Sequence, residues 1–287
     1  MLEAHRRSCV LWTRLLSEDG SDEARSLWSP MAPTSALISF AKHAAKSLLP
    51  ARTYLSMRAA LLGEERPAID WDYFCSLRRL RPIRPDSGAR SGLGIGRYYI
   101  DGFIAQYAAD IKGRVLEVAD RRYTERYGGN RVVQSDVLHV RPGNPEATII
   151  ADLTSAEHVS TEAFDCIILT QTLQYIWDTR SAVRTVKRLL KPGGVLLATV
   201  PGIAQITRYD MEQWGEYWRF TTLSAQRLFQ EQFAEERVLV KSYGNVLTTI
   251  ARLHGILASE LRPEELDYYD RDYDVIITIR ATKEGGR

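Results

Sequence analysis

The sequence is poor in cysteine, lacks long apolar runs, and has no glycine at the turn where a nucleotide-binding α/β protein usually places several. Its three cysteines, Cys9, Cys75 and Cys166, lie far apart and form no Cys-x-x-Cys pair. This spacing argues against a disulfide framework and against a cysteine zinc site. Cys166 lies inside an apolar run and reads as a small buried hydrophobe. No stretch of about 18 apolar residues occurs, so no stable membrane insertion is expected. The opening run MLEAHRRSCVLWTRLLSEDG is broken by charges and has no apolar core of signal-peptide length, which points to the cytoplasm. Net charge is only +2, which argues against a general nucleic-acid binder. Neither GxGxxG nor GxxxxGK[ST] follows a strand, which excludes an NAD or ATP enzyme of the usual build. No HxxxH spacing suggests a metal, and no Ser/His/Asp order with a nucleophile elbow appears.

What is present is an ordinary globular composition over 287 residues, 45% hydrophobic and 26% charged. That length can bury a sizeable core. Residues 1–95 read as an N-terminal helical extension with a basic loop. Within it, 35–62 reads as two helical pieces broken at Pro50. Their Lys42, Lys46, Arg52 and Arg58 read as a solvated face, with a basic surface for a membrane or an anionic substrate as the sharper alternative. Residues 78–97 gather Arg78, Arg79, Arg81, Arg84, Arg90 and Arg97 among prolines and glycines. Arginine's planar fork suits phosphate and carboxylate, so this loop could be plain surface or could meet an anionic ligand.

From 113 onward, short apolar runs alternate with helical patterns. The expected strands are 114–118, 132–135, 148–151, 165–170, 195–200, 237–243 and 274–281. Short apolar runs suit strands covered on both faces. The clearest helix is 181–190, ended by Lys191, Pro192 and Gly193–Gly194. Strands alternating with helices imply a doubly wound parallel sheet, with ligands at the carboxyl ends of the strands where strand order reverses.

The run FDCIILTQTLQYIWDTRSAVRTVKRLLKPGGVLLATVPG, 164–202, closely resembles the fourth-strand, helix and fifth-strand block of class I S-adenosylmethionine-dependent methyltransferases, of the type 11 kind. The carrying residues are Phe164–Asp165, Leu173, Asp178 and Leu190–Gly194. YWRFT at 217–221 is similar to a segment that follows the fifth strand in many members. The resemblance covers about residues 95–281. It implies a doubly wound, seven-stranded, mostly parallel sheet with an antiparallel last strand, over residues 96–287. It also implies S-adenosyl-L-methionine as cofactor.

The first motif departs from the family, which follows an acidic residue with GxGxG. Glu117 is kept, but the turn reads Ala119, Asp120, Arg121, Arg122, Tyr123. Only 13 residues separate Val118 from Val132, near the minimum for a parallel crossover, so the first helix should be short. S-Adenosylmethionine has no phosphate to cradle, so a polar turn could serve it by side chain. The resemblance then implies a cofactor set. Glu117, Ala119 and Asp120 lie at the turn. Asp136, 19 residues after Glu117 and read as the end of the second strand, suits the ribose. Asp152 and Leu153 suit the adenine, and Thr170 and Gln171 the methionine moiety. Arg97 and Tyr98, after Gly96, would close over the methionine end, with Arg97 on its carboxylate. Each acid could instead be a helix cap or turn residue.

An oxygen nucleophile needs a base, and His139, His254 and Tyr175 are candidates; His5, His43 and His158 complete the histidines. His254 lies in a 244–262 insertion that reads as a substrate lid. In TRYDMEQWGEYWRFT, 207–221, Trp214, Tyr217 and Arg219 read as substrate contacts. Aromatics interleaved with acids suit a polyhydroxylated ligand such as a sugar or glycoside, or else form a packed aromatic cap. The expected activity is O-methylation of a sugar, glycan precursor or secondary metabolite. The alternative is a methyltransferase-fold protein that no longer transfers methyl, a cyclase-type enzyme or a binding subunit. The sequence leaves the acceptor and the oligomeric state open, a homodimer among the options.

Overall fold

A computed structural model describes residues 78–85 and 92–285. The chain divides into two compact units, Met1–Arg79 and Leu80–Arg287, and every feature below belongs to the second. The helical pair expected over 35–62, together with His5, His43 and Arg90, lies outside the described residues.

Helix α1 (Ile95–Gln106) precedes strand β1 (Gly113–Val118). Strands β2 (Val132–His139), β3 (Ile149–Ile150) and β4 (Phe164–Thr170) follow. Helix α2 (Thr179–Leu189) leads into β5 (Leu190–Pro201), then α3 (Arg208–Trp214), α4 (Thr222–Gln230) and β6 (Val238–Tyr243). Helices α5 (Val246–Leu253) and α6 (Pro263–Asp267) precede β7 (Ile276–Thr282). The sheet has seven strands in the order β3-β2-β1-β4-β5-β7-β6. β7 runs antiparallel to both β5 and β6, and the other pairings are parallel, as expected.

Alternation across the pleat explains the two-sided core. Leu116, Ile167, Leu169 and Leu196 face one side, with α2 and α4. Val115, Cys166, Ile168 and Leu197 face the other, with α1 and the 246–266 region. α2 forms because Asp178 caps it, accepting from Ser181 N at 3.0 Å, and because Ala182, Val183, Val186 and Leu189 share one buried face. Burying each of the valine and leucine side chains contributes roughly 1.5–3 kcal/mol. At LKPGG the β4–β5 register shifts, Gly193 takes φ 77, and Lys191 pairs with Asp165 at 2.7 Å.

The first crossover is short, as expected, and takes the form of a π-helical turn over Thr124–Gly128 and a tight turn over Gly129–Arg131. Two expectations change. β2 runs through to His139, so Asp136 stands in mid-strand, opposite Leu116. The 244–262 segment is packed rather than lid-like. Ala251 and Ala258 are buried, Gly94 bridges Leu257, and Arg84 donates its N–H to His254 O at 2.9 Å. Among the described residues, no helix is long and apolar enough to cross a membrane.

Candidate functional site

Strand order reverses between β1 and β4, because β1 pairs with both β2 and β4 while the chain crosses from one half of the sheet to the other. A crevice forms there at the carboxyl ends of the strands.

The glycine-free turn closes this crevice in its own way. Ala119 takes the left-handed φ of 77° that glycine would usually supply. Its N–H donates to Leu138 O at 3.0 Å, and Asn144 Nδ2 donates to its carbonyl at 2.6 Å. Glu117 is only 2% exposed. Its carboxylate accepts from Tyr123 N at 3.1 Å, from Thr124 N at 2.8 Å and from Thr124 Oγ1 at 2.8 Å. These bonds satisfy amides that open the short helical turn. Burial pushes the Glu117 carboxyl up to about 7, against the pull of those hydrogen bonds. Glu117 therefore holds the turn, and its oxygens are spent on protein.

Beside the turn lies a cavity of about 680 Å³. Ala119, Asp152, Leu153, Thr170 and Gln171 line it. Asp152 Oδ1 accepts from Thr154 N and Oγ1, both at 2.8 Å, which leaves Oδ2 without a partner among the described residues. Gln171 takes φ 46 and donates its N–H to Thr199 O at 2.9 Å. His139, Tyr175, Trp214 and Tyr217 form the far side. Tyr175 Oη donates to Asp210 Oδ2 at 2.9 Å, and burial first, then Asp210, pushes the hydroxyl well up. His139 Nδ1 lies 2.6 Å from Arg141 O and 3.2 Å from Arg141 N, so the Arg141 backbone holds this face of the imidazole. Arg141 lies over the Trp214 ring at 4.9 Å and was not singled out from sequence.

Other expected site residues sit elsewhere. Asp136 is 6% exposed and accepts from Arg114 Nε at 2.8 Å, Gln134 Nε2 at 3.0 Å and Thr148 Oγ1 at 2.9 Å. It knits β1 to β2 and faces neither cavity. Tyr98 donates to Asp267 at 2.8 Å, away from the crevice. Asp120 holds Arg122 through its backbone N–H at 3.0 Å and its guanidinium at 3.2 Å. His254 caps the end of α5 and lines neither cavity. Arg219 donates to Ala204 O and Gln205 O and pairs with Glu216 at 2.8 Å, so it holds a loop rather than a ligand. Arg97 lines a second cavity and bonds Tyr123 Oη.

Residues 86–198 match the family model described as a methyltransferase domain. The chain carries a class I methyltransferase domain. The match spans well under half of the chain. S-Adenosyl-L-methionine is the cofactor that goes with a methyltransferase domain of this class. No curated protein matches the chain in sequence. Among solved structures, the chain aligns with the [4+2]-cyclase SpnF at 16% identity, over 66% of this chain and 82% of that one, with a TM-score of 0.43. An S-adenosylmethionine-dependent methyltransferase from Mesorhizobium loti aligns at 16% identity over 66% and 98%, TM-score 0.42. One from Archaeoglobus fulgidus aligns at 11% over 65% and 94%, TM-score 0.44.

Proposed function

We propose that the chain is an S-adenosylmethionine-dependent O-methyltransferase acting on a hydroxyl of a sugar, a glycan precursor or a secondary metabolite. The observation that carries this is that one cavity at the β1/β4 reversal is lined both by Asp152 and Leu153 and by Tyr175, Trp214 and Tyr217. The donor set fits the cofactor. Leu153 offers an apolar face for the base, the unpartnered Asp152 Oδ2 an acceptor for its amine, and Thr170 and Gln171 polar groups beside them. When bound, the cofactor supplies an electrophilic methyl on sulfur. The chain's own residues orient the acceptor and keep water out. Trp214 and Tyr217 stack on sugar faces. His139 accepts the hydroxyl proton. Tyr175 stays protonated at neutral pH, so it orients rather than deprotonates.

Calorimetric titration with S-adenosylmethionine and S-adenosylhomocysteine tests this. Asp152→Asn keeps the oxygen that Thr154 uses and replaces the open one with an amide. It should weaken both ligands tenfold, about 1.4 kcal/mol. No binding of either ligand to wild type overturns the reading. The turn held shut by Glu117, where the family has glycines, supports one rival: a pocket that binds the cofactor without transferring methyl. Binding of S-adenosylmethionine, with no methyl transfer to any of a panel of sugars and glycosides, would favour it.

A further inference from the structure

A second cavity, of about 460 Å³, adjoins the first, and Gln171 lines both. Its charged lining residues are Arg97, Arg122 and Arg252; Arg122 already pairs with Asp120 at 3.2 Å, and no aspartate or glutamate lines the cavity itself. Arg252 is the telling one. It is part-buried on α5, donates Nη1 to Val275 O at 3.0 Å, and pairs with no carboxylate among the described residues. Burial first, then nearby Arg219, brings it down to about 10, so it stays cationic at neutral pH. A guanidinium left uncompensated in this way is costly unless a ligand supplies the charge.

The backbone points the same way. The glycines missing after β1 occur instead just before and at the start of α1, at Gly92, Gly94 and Gly96, all lining this cavity. At Gly96 a Cβ would stand 3.1 Å from the Arg252 guanidinium carbon, so the absence of a side chain there makes room for Arg252. No side chain caps the start of α1, and Gly94, Ile95 and Gly96 at that positive end line the cavity. The cofactor offers one carboxylate against three arginines, and its methionine end also carries an ammonium and a sulfonium, so it leaves the cavity with excess positive charge.

We propose that this cavity takes the anionic group of the methyl acceptor, a phosphate or a carboxylate, so that the acceptor is a sugar phosphate or sugar acid rather than a neutral glycoside. This rests on the methyltransferase reading above. The arginine fork suits either anion, and a cavity lined by one sign of charge concentrates such ligands.

The test is calorimetric titration of the full chain with inorganic phosphate and with glucuronate, at fixed ionic strength, with and without saturating S-adenosylhomocysteine. Two variants accompany it: Arg252→Gln, and the surface change Thr207→Glu, which adds a carboxylate at the cavity wall and keeps the test valid should Arg252→Gln fail to fold. The expected result is saturable binding of one anion, weakened at least tenfold by either variant, with S-adenosylhomocysteine affinity within twofold of wild type. Which anion binds separates phosphate from carboxylate acceptors. S-Adenosylhomocysteine binding without anion binding overturns the anion site and leaves the methyltransferase reading standing. Competition between the anion and S-adenosylhomocysteine also overturns it, because the arginines would then serve the cofactor's own carboxylate. Anion binding without any S-adenosylhomocysteine binding removes the methyltransferase reading and the acceptor assignment with it.

Discussion

At the scale of single residues, the turn after β1 shows how a missing motif is replaced. Glu117 has its carboxyl raised from 4.5 to about 7 by burial. A raised folded-state value means the native state holds the proton more tightly. Its stabilising contribution is complete below about pH 4.5 and is lost as pH rises through about 7, on the order of 3 kcal/mol in all. Glu117→Gln should flatten this slope, at the expense of the Tyr123 N–H bond. Thermal unfolding of both proteins from pH 4 to 8 checks it; an unchanged slope in the variant would place the titration elsewhere. Ala119 gives a second case. Its φ of 77 carries a left-handed penalty of about 1–2 kcal/mol. Glycine would relieve it but would add roughly 0.5–1 kcal/mol of unfolded-state entropy. Ala119→Gly should therefore stabilise by about 0.5–1 kcal/mol in urea unfolding. A loss of stability would mean that the methyl group packs in a way that outweighs the strain.

At the scale of elements, β2 shows what a sequence reading can and cannot carry. The strands facing helices on both sides were legible because a short apolar run between turn residues suits a buried strand and little else. α2 was legible because its cap, its apolar face and the glycines after it all agree. In β2 the polar run Gln134, Ser135, Asp136 looks like an exit from the sheet, yet the strand continues for three residues. Arg114, 22 residues away in sequence, neutralises Asp136 in mid-strand, and no local pattern announces that. Those three residues move an acid from the rim of the site into its foundation. Asp136→Ala should cost about 2–3 kcal/mol in urea unfolding, since it removes an ion pair and two further hydrogen bonds. It should leave S-adenosylhomocysteine affinity unchanged, and a tenfold loss would restore Asp136 as a ligand. The site was legible only in part for the same reason. Asp152, Leu153, Thr170 and Gln171 sit at strand ends that the block pattern locates. Arg252 reaches its cavity only through the packing of α5 against α1, from residues about 155 positions apart.

At the scale of the whole molecule, Cys166 offers a reporter. It is fully buried at the centre of β4, and burial pushes its thiol far up. With Cys9 and Cys75 replaced by serine, thiol labelling of the native protein should proceed only through global opening. Its rate should then track stability across the variants above, and rapid labelling of native wild type would show that the sheet opens locally at β4. The strand order has a further consequence, in the order in which the chain is made. β7 lies between β5 and β6 and supplies the hydrogen-bonding partner of both. Until residues 276–282 leave the ribosome, the nascent chain carries two apolar strands with unpaired edges and no way to join them. The five-stranded parallel half can pair without β7, but β6 can join the sheet only once β7 has been made, so that edge closes last.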